Sequence, residues 1–466
     1  MHSRNDNKID LTPAGLGNKL IQQVFSIPID DNKYLIYAPL KGVAFLANPQ
    51  MVNLIFRQCS NKTAQPMNVS LRFLYDFNFF TPEPLPKDEY LDKGINYDAV
   101  VLFLTNQCNM RCTYCYASSG EFTPNTMKWE IAQAAIDYVL KEAKKNCSES
   151  ITLGFHGGGE PTLNWDTLTK AVRYTRNEAK QNSLGLHITG SFNGYWPKKK
   201  LDFILKNFTE LSMSFDGIPL VQNRQRPAGD NRVSFPTVAQ TLNALDERQF
   251  SYGIRMTVTE DSVDHLGESV SFICKMFNPK KIQVEPVFLE GRAIKNESQI
   301  KNLELFIRQF MKSHEIAEGY GITLFYSGAR PEVLTQRFCL AACRAFVVTP
   351  EGDVTACFET YGRNHPLSDR FLVGQYDGRG GFVMDNEKLN RHFSRVVDNI
   401  PYCQSCYCRW HCAGDCAIKT LSPMEIDCFA PTERCYINRE LTKWLILHNI
   451  RKNGGVIWRK DRGGSA

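Results

Sequence analysis

Residues 99–116 read AVVLFLTNQCNMRCTYCY. The first seven, Ala99–Thr105, are mostly β-branched or large apolar residues in one unbroken run, as expected for a strand buried on both faces. Directly after them come Cys108, Cys112 and Cys115 in a CxxxCxxC spacing. Three thiols this close on one loop can hold three irons of a [4Fe–4S] cube and leave the fourth iron open to a chelating ligand. A zinc site completed by a distant ligand is the other reading, although paired CxxC hooks suit zinc better.

Working outward, residues 96–330 alternate between strand and helix patterns. Strands are expected at Ala99–Thr105, Ile151–His156, Leu186–Ser191, Glu210–Phe215, Gly253–Val258 and Lys281–Val287. Amphipathic helices fill Met127–Lys145, Trp165–Gln181, Pro197–Asn207, Phe235–Glu247 and Val263–Met276. Six βα units argue for an α/β fold, a parallel sheet curved into a partial (β/α)6 TIM-like barrel with its chemistry at the strands' carboxyl ends. Residues 1–95 read as a small separate α+β unit. Its strands are Lys33-Tyr-Leu-Ile-Tyr-Ala and Val43-Ala-Phe-Leu-Ala, followed by a helix from Gln50 and a Pro-rich linker at Thr81–Lys87. Residues 331–450 read as a cysteine-rich domain closed by a helix at Glu433–Ile450, and 451–466 as a flexible tail.

The bulk composition is that of a globular protein: 43% hydrophobic and 22% charged residues, with a net charge of +6 over 466 residues. No basic run is longer than Lys198–Lys200, so nucleic acid is not an expected partner. Neither a bilayer-spanning apolar stretch nor a signal-peptide core is present, so a cytoplasmic protein is expected, with no membrane partner. In a reducing compartment, the sixteen cysteines point to metal or catalysis rather than disulfides. Cys59, Cys147 and Cys274 fall outside any cluster and are expected as small buried hydrophobes.

The CxxxCxxC motif, with Tyr114 before its last cysteine, resembles that of radical S-adenosylmethionine enzymes. Gly157-Gly158-Gly159-Glu160-Pro161, one βα unit later, resembles the family's GGEP motif. The resemblance implies that the open iron chelates S-adenosylmethionine, whose reductive cleavage gives a 5′-deoxyadenosyl radical that abstracts hydrogen from a substrate. It further implies that Gly158, Gly159 and Glu160 meet the cofactor's amino group, and that Ser214 and Asp216 (in SMSFDG) meet its ribose. Arg226 would clamp its carboxylate, a task suited to guanidinium. Relatives often read HDxxR where this chain has Gln222-Asn223-Arg-Gln-Arg226, so of that pattern only Arg226 carries over. Tyr114, Ser191 and Asn193 (in SFNG) are further cofactor candidates, loop capping being the other explanation of the last two.

The second constellation runs Cys339-xxx-Cys343, GDVTA-Cys357, Cys403-xx-Cys406-xxxxx-Cys412-xxx-Cys416, then Cys428 and Cys435. It resembles the SPASM extension of radical enzymes. The resemblance implies two auxiliary [4Fe–4S] clusters, one on Cys339, Cys343, Cys357 and Cys416 and one on Cys403, Cys406, Cys412 and Cys435. Cys428 competes for the last place, and Cys408 is an additional thiol. Zinc ribbons are the alternative.

Relatives with this extension modify peptides or proteins. The expected function is therefore oxidative maturation of a ribosomally made peptide, with three clusters, S-adenosylmethionine and an external electron donor such as flavodoxin or ferredoxin. The N-terminal unit loosely resembles domains that grip leader peptides by strand addition. Sulfatase maturation to formylglycine is the enzymatic rival, and an iron–sulfur carrier or scaffold the non-enzymatic one. Sulfatase maturases typically place an Asp after the GxxxxC cysteine, where this chain has Cys357-Phe358-Glu359; Glu359 is the substitute candidate. Tyr116, Tyr361 and His156 are expected near the cavity mouth.

Overall fold

The computed structural model describes residues 18–458 apart from 22, 60–68, 77, 89, 91–93, 231 and 422–427. It divides into two compact units. One gathers residues 1–88, 328–338 and 395–466; the other holds 89–327 and 339–394. The expected boundaries at 95, 330 and 450 are thus not those of the packed units. The cysteine-rich stretch is shared between both, and the N-terminal region shares a unit with the C-terminal one.

The reason lies in the first unit's core. Strands β1 (Asn18–Ile21), β2 (Val24–Asp30), β3 (Lys33–Ala38) and β4 (Val43–Ala47) form an antiparallel sheet, backed by the helix Pro49–Cys59. Phe25, Leu35, Tyr37 and Ala44 from this sheet pack with Cys406, Tyr407, Cys408, Ile446 and Ile450 in one buried cluster. The N-terminal segment also closes a second cluster by itself, Val24, Ile36, Val43, Ile55, Leu74 and Phe79, so the sheet packs on both sides. A final strand, Val456–Trp458, pairs antiparallel with β4, so the expected tail is ordered through residue 458, and 459–466 lie outside the described residues. The expected linker is pinned as well. Lys41 Nζ donates to the carbonyls of Asn78 (2.8 Å) and Thr81 (2.6 Å), and Gln336 donates to that of Pro86 (3.0 Å). Arg337 and Asp88 form a buried ion pair at 2.6 Å.

The second unit is an eleven-stranded sheet. Its parallel strands are β5 (Ala99–Leu102), β6 (Ser150–Phe155), β7 (Gly185–Phe192), β8 (Glu210–Ser214), β9 (Tyr252–Val258), β10 (Lys281–Pro286) and β11 (Thr323–Phe325). The six expected strands are present, and β11 extends them. Connecting helices lie at Trp129–Lys145, Trp165–Gln181, Lys198–Asn207, Phe235–Glu247 and Leu266–Met276, near their expected places. The first buries Ile131, Ala135, Ile136, Val139, Leu140 and Ala143, an i, i+3/i+4 stripe facing the sheet. Beyond β5 the sheet continues through β12 (Ala345–Val348), β13 (Asp353–Thr355), β14 (Leu372–Tyr376) and β15 (Phe382–Met384). β12 is parallel to β5 and the rest are antiparallel, so part of the cysteine-rich region is welded to the barrel's first strand.

Cys274 is buried as expected, but Cys147 is exposed in the turn that ends the helix Trp129–Lys145. The side chain of Cys59 lies outside the described ones. No helix among the described residues is long and apolar enough to cross a membrane.

The weld depends on Phe346 of β12, fully buried, stacked on Tyr138 at 4.3 Å and edge-on to Phe382 (4.9 Å) and Tyr97 (5.2 Å). Phe346→Ala is expected to lower unfolding free energy by about 3–5 kcal/mol. Denaturant titration of the variant checks this, and a loss below about 1 kcal/mol would show that β12 is only loosely attached.

Candidate active site

The CxxxCxxC loop has almost no regular structure, so its backbone must find partners elsewhere. The segment leaving the short helix Pro219–Gln225 supplies them. Thr113 N–H donates to Gln225 O (2.8 Å), Arg111 N–H to Pro227 O (2.8 Å), and Gly229 N–H to Asn109 O (2.8 Å). From the other side, Arg292, buried just after β10, donates to the carbonyls of Cys112 (2.8 Å) and Ser119 (3.1 Å) and pairs with Glu121 (3.0 Å). Arg292 was not among the expected residues; its only sequence signal is a lone Arg beside Gly291, whose absent Cβ lets the chain approach the Cys115 and Tyr116 carbonyls.

Burial, then the neighbouring Cys112, push the Cys108 thiol up to about 12. Such a site favours thiols over thiolates unless a metal takes the proton's place. Met110 N–H donates to Cys108 Sγ at 3.4 Å. The same i+2 amide contact recurs from Ala341 to Cys339 and from Glu359 to Cys357, each at 3.4 Å. Amides aimed at sulfur stabilise negative charge there and are a lever on cluster potential. Three thiols on one loop are the donor set of an iron–sulfur cube with one open iron.

The glycine loop sits against this cluster loop. Gly157 and Gly158 have φ of 74° and 60°, and a Cβ at Gly159 would overlap the Gln107 carbonyl. Ser119 donates to the Gly158 carbonyl. Glu160 follows the glycines. Its buried carboxylate accepts from Thr162 N–H (3.2 Å), Thr162 Oγ1 (2.8 Å), Trp196 Nε1 (3.2 Å) and Asn193 N–H (2.9 Å). With its lone pairs so taken, Glu160 shapes the loop more than it offers a free charge. Asn193 reaches the cluster loop, donating to Asn109 Oδ1 (2.7 Å) and approaching Cys108 Sγ at 3.7 Å.

Asp216 is also internally engaged, accepting from Tyr114 OH (2.7 Å), Gln225 Nε2 (2.9 Å) and Thr257 N–H (3.1 Å). It is fully buried. Arg226 Nη1 donates to Tyr114 OH at 2.6 Å, while its buried Nε has no hydrogen-bond partner. A buried guanidinium N–H without an acceptor is costly, and the carboxylate of S-adenosylmethionine is an acceptor that fits it. Gln222 and Asn223, where relatives carry other residues, are structural. Gln222 bridges Asp216 N–H and Ser234, and Asn223 caps the start of the helix Phe235–Glu247.

Inside the barrel lies a cavity of ≈ 390 Å³ whose lining includes Val101, Ser191, Ile254, Phe325, Phe358 and His156. Ser191 faces this cavity, and Ser214 sits at the end of β8 opposite Arg255. His156, just before the glycines, has a buried Nδ1 without a partner. Burial first, and Arg255 second, bring its pKa down to about 4, so it is neutral at physiological pH, although Glu359 pulls the other way. Glu359 also acts on Tyr116, whose ring lies 6.2 Å from that of Tyr361. The expected trio therefore gathers around Glu359 and the glycine loop.

Among the remaining thiols, Cys403, Cys406, Cys408, Cys412 and Cys435 line one cavity, together with Asp415, Asn438 and Arg439, all within the first unit. All five are buried, whereas Cys428 is exposed. Cys339, Cys343 and Cys357 belong to the second unit and Cys416 to the first.

Residues 102–273 match the family model of the radical SAM superfamily, so the parallel barrel with its cysteine loop, its glycine loop and Arg226 carries a radical SAM domain, and a cysteine-rich region follows it. The cysteine-type anaerobic sulfatase-maturating enzyme of Clostridium perfringens is 23% identical over 337 residues, 66% of this chain and 85% of its own. The solved structure of anSMEcpe with bound AdoMet has a TM-score of 0.57 at 18% identity, covering 76% of this chain and 95% of that one. The Streptococcus suis enzyme SuiB, solved bound to its precursor peptide SuiA, has a TM-score of 0.50 at 13% identity, over 83% and 87% of the two chains.

Arg226→Lys keeps the charge but loses the planar fork. It is expected to weaken S-adenosylmethionine binding roughly tenfold, the loss of one charge-assisted hydrogen bond, while iron content stays the same. Equilibrium binding to the anaerobic protein checks this; unchanged affinity would remove Arg226 from the cofactor site.

Proposed function

We propose that this radical SAM enzyme oxidatively modifies a residue of a ribosomally made peptide. The observation that carries the reading is the orphaned Arg226 guanidinium, locked by Tyr114, Asp216 and Gln225 beside the loop of Cys108, Cys112 and Cys115. Those three cysteines hold the catalytic [4Fe–4S] cluster. When cluster and S-adenosylmethionine are bound, they supply a carbon-centred radical able to remove hydrogen from an unactivated C–H bond. The chain's own contribution is to orient and exclude. Arg226 receives the cofactor carboxylate, and Gly158 and Gly159 let the backbone approach its amino group. Arg292 fixes the cysteine loop, and the cavity beside His156 receives the substrate residue. His156, kept neutral, accepts a hydrogen bond from that residue, and Glu359 takes a proton.

In this reading Cys339, Cys343, Cys357 and Cys416 hold one auxiliary cluster, and Cys403, Cys406, Cys412 and Cys435 hold another. Burial of Cys435 within the thiol-lined cavity, against exposure of Cys428, supports the choice of Cys435. An external donor of the flavodoxin or ferredoxin kind reduces the catalytic cluster. For a leader peptide, the outer edge of β4 is already paired with Val456–Trp458, which leaves β1 as the other edge strand of the described sheet. Sulfatase maturation is the second reading. It is favoured by the similarity to the Clostridium perfringens enzyme and by the placement of Glu359 near His156 and Tyr116.

Cys112→Ala is expected to abolish 5′-deoxyadenosine formation and to lower iron from about twelve to about eight per chain. Iron analysis and a dithionite-driven assay check both numbers. Cofactor cleavage retained in that variant would sink the assignment of the catalytic loop. Incubation with candidate precursor peptides and with Cys- or Ser-containing sulfatase peptides then separates the two substrate readings.

A further inference from the structure

Arg439 lines the thiol-lined cavity of the first unit, and Arg395, Arg409 and Arg434 contact residues in or beside it; two of the four pair with carboxylates. Arg434 pairs with Asp415 at 2.8 Å. Arg409 pairs with Asp398 and lies over Trp410 at 4.4 Å. Arg439 donates to Tyr402 OH at 3.5 Å. Arg395 is different. It donates to Gly414 O (3.1 Å) and Thr420 Oγ1 (2.8 Å) and lies over the Phe429 ring at 5.9 Å. Both acceptors are neutral, and no carboxylate among the described residues is within ion-pair distance of it.

Arg395 is half-buried, and a guanidinium partly withdrawn from water gains from negative charge nearby. Burial works against its charge, and the acidic groups that favour it are Cys416, Cys403, Asp415 and Cys412. Asp415 is already taken by Arg434 and by Asn438 (2.9 Å). What remains to balance Arg395 is sulfur. Gly414 and Phe429, which it touches, themselves line the cavity. Thiols are neutral, but the same thiols bound to iron carry net negative charge, and reduction of a cluster adds one more. A fixed cation facing them stabilises the reduced form more than the oxidised one.

We propose that Arg395 is the counter-charge of the auxiliary cluster on Cys403, Cys406, Cys412 and Cys435, a positioning residue that raises its reduction potential and so fits it to accept electrons. The inference rests on those cysteines being iron–sulfur ligands. It assigns that cluster a direction of electron flow, as a sink for the electron released when the substrate radical closes its new bond. That electron then leaves to an external acceptor of the same protein class that supplies the catalytic cluster.

The test uses the full chain carrying Cys108→Ala, Cys112→Ala and Cys115→Ala, so that every remaining signal is auxiliary. Iron content reports on the ligand reading: about eight irons per chain support it, and zinc or no iron rejects it before Arg395 is in question. Redox titration followed by electron paramagnetic resonance then compares Arg395→Gln, Arg395→Lys and Thr420→Val in that background. The expected result is a tenfold shift of the reduction equilibrium against the reduced form in Arg395→Gln, about 59 mV for a one-electron couple. Arg395→Lys should recover most of it. Thr420→Val, which removes the brace and keeps the charge, should leave the midpoint near that of the parent. Unchanged midpoints in Arg395→Gln at full iron content, or an equal fall in Thr420→Val, overturn the proposal and leave Arg395 as a brace of the 414–420 turn.

Discussion

The site depends on one constraint: a three-cysteine loop without secondary structure has to be held still by hydrogen bonds from outside itself. Its amides and carbonyls are met by the segment 225–229 on one side and by Arg292 on the other. The consequence is economy of placement. The segment that satisfies the loop's backbone is the one that carries Arg226, so fixing the iron ligands and fixing the cofactor clamp are one act of folding. A flexible loop of this composition would pay conformational entropy on every cofactor binding event.

Two polar residues expected at the cofactor also serve this placement. Glu160 and Asp216 are buried carboxylates whose pKa values burial pushes up, and their accepted hydrogen bonds work in the opposite direction. Each organises donors from separate strand ends: Glu160 joins the 160–162 turn to the 193–196 loop, and Asp216 joins Tyr114, Gln225 and Thr257. Both carboxylates tie separate strand ends together.

Local patterns made much of this legible in the sequence. Apolar runs bounded by turns located β5 to β10, because strands buried on both faces need no partner to be recognised. CxxxCxxC, the glycine run and Arg226 were legible because their spacing is short. What escaped depended on distant pairing. Val456–Trp458 is a strand only because β4 lies beside it, more than four hundred positions earlier in the chain. The helix Pro219–Gln225 is too short to show a period. Arg292 and Arg395 looked like ordinary surface cations, and only the groups facing them show otherwise.

The union of the N-terminal sheet with the second cysteine cluster has a mechanistic side. Phe25, Leu35 and Tyr37 cover Cys406, Cys408 and Cys412, so the thiols are shielded by a sheet that the cysteine-rich segment does not itself supply. Shielding sulfur from water lowers the local dielectric and lengthens the reach of every fixed charge nearby. At the edge of such surroundings a half-buried guanidinium without a carboxylate partner is screened less than the same residue at a wet surface. The N-terminal region, read from sequence as a possible handle for peptides, thereby acquires a second task. It makes the interior in which Arg395 can set a potential.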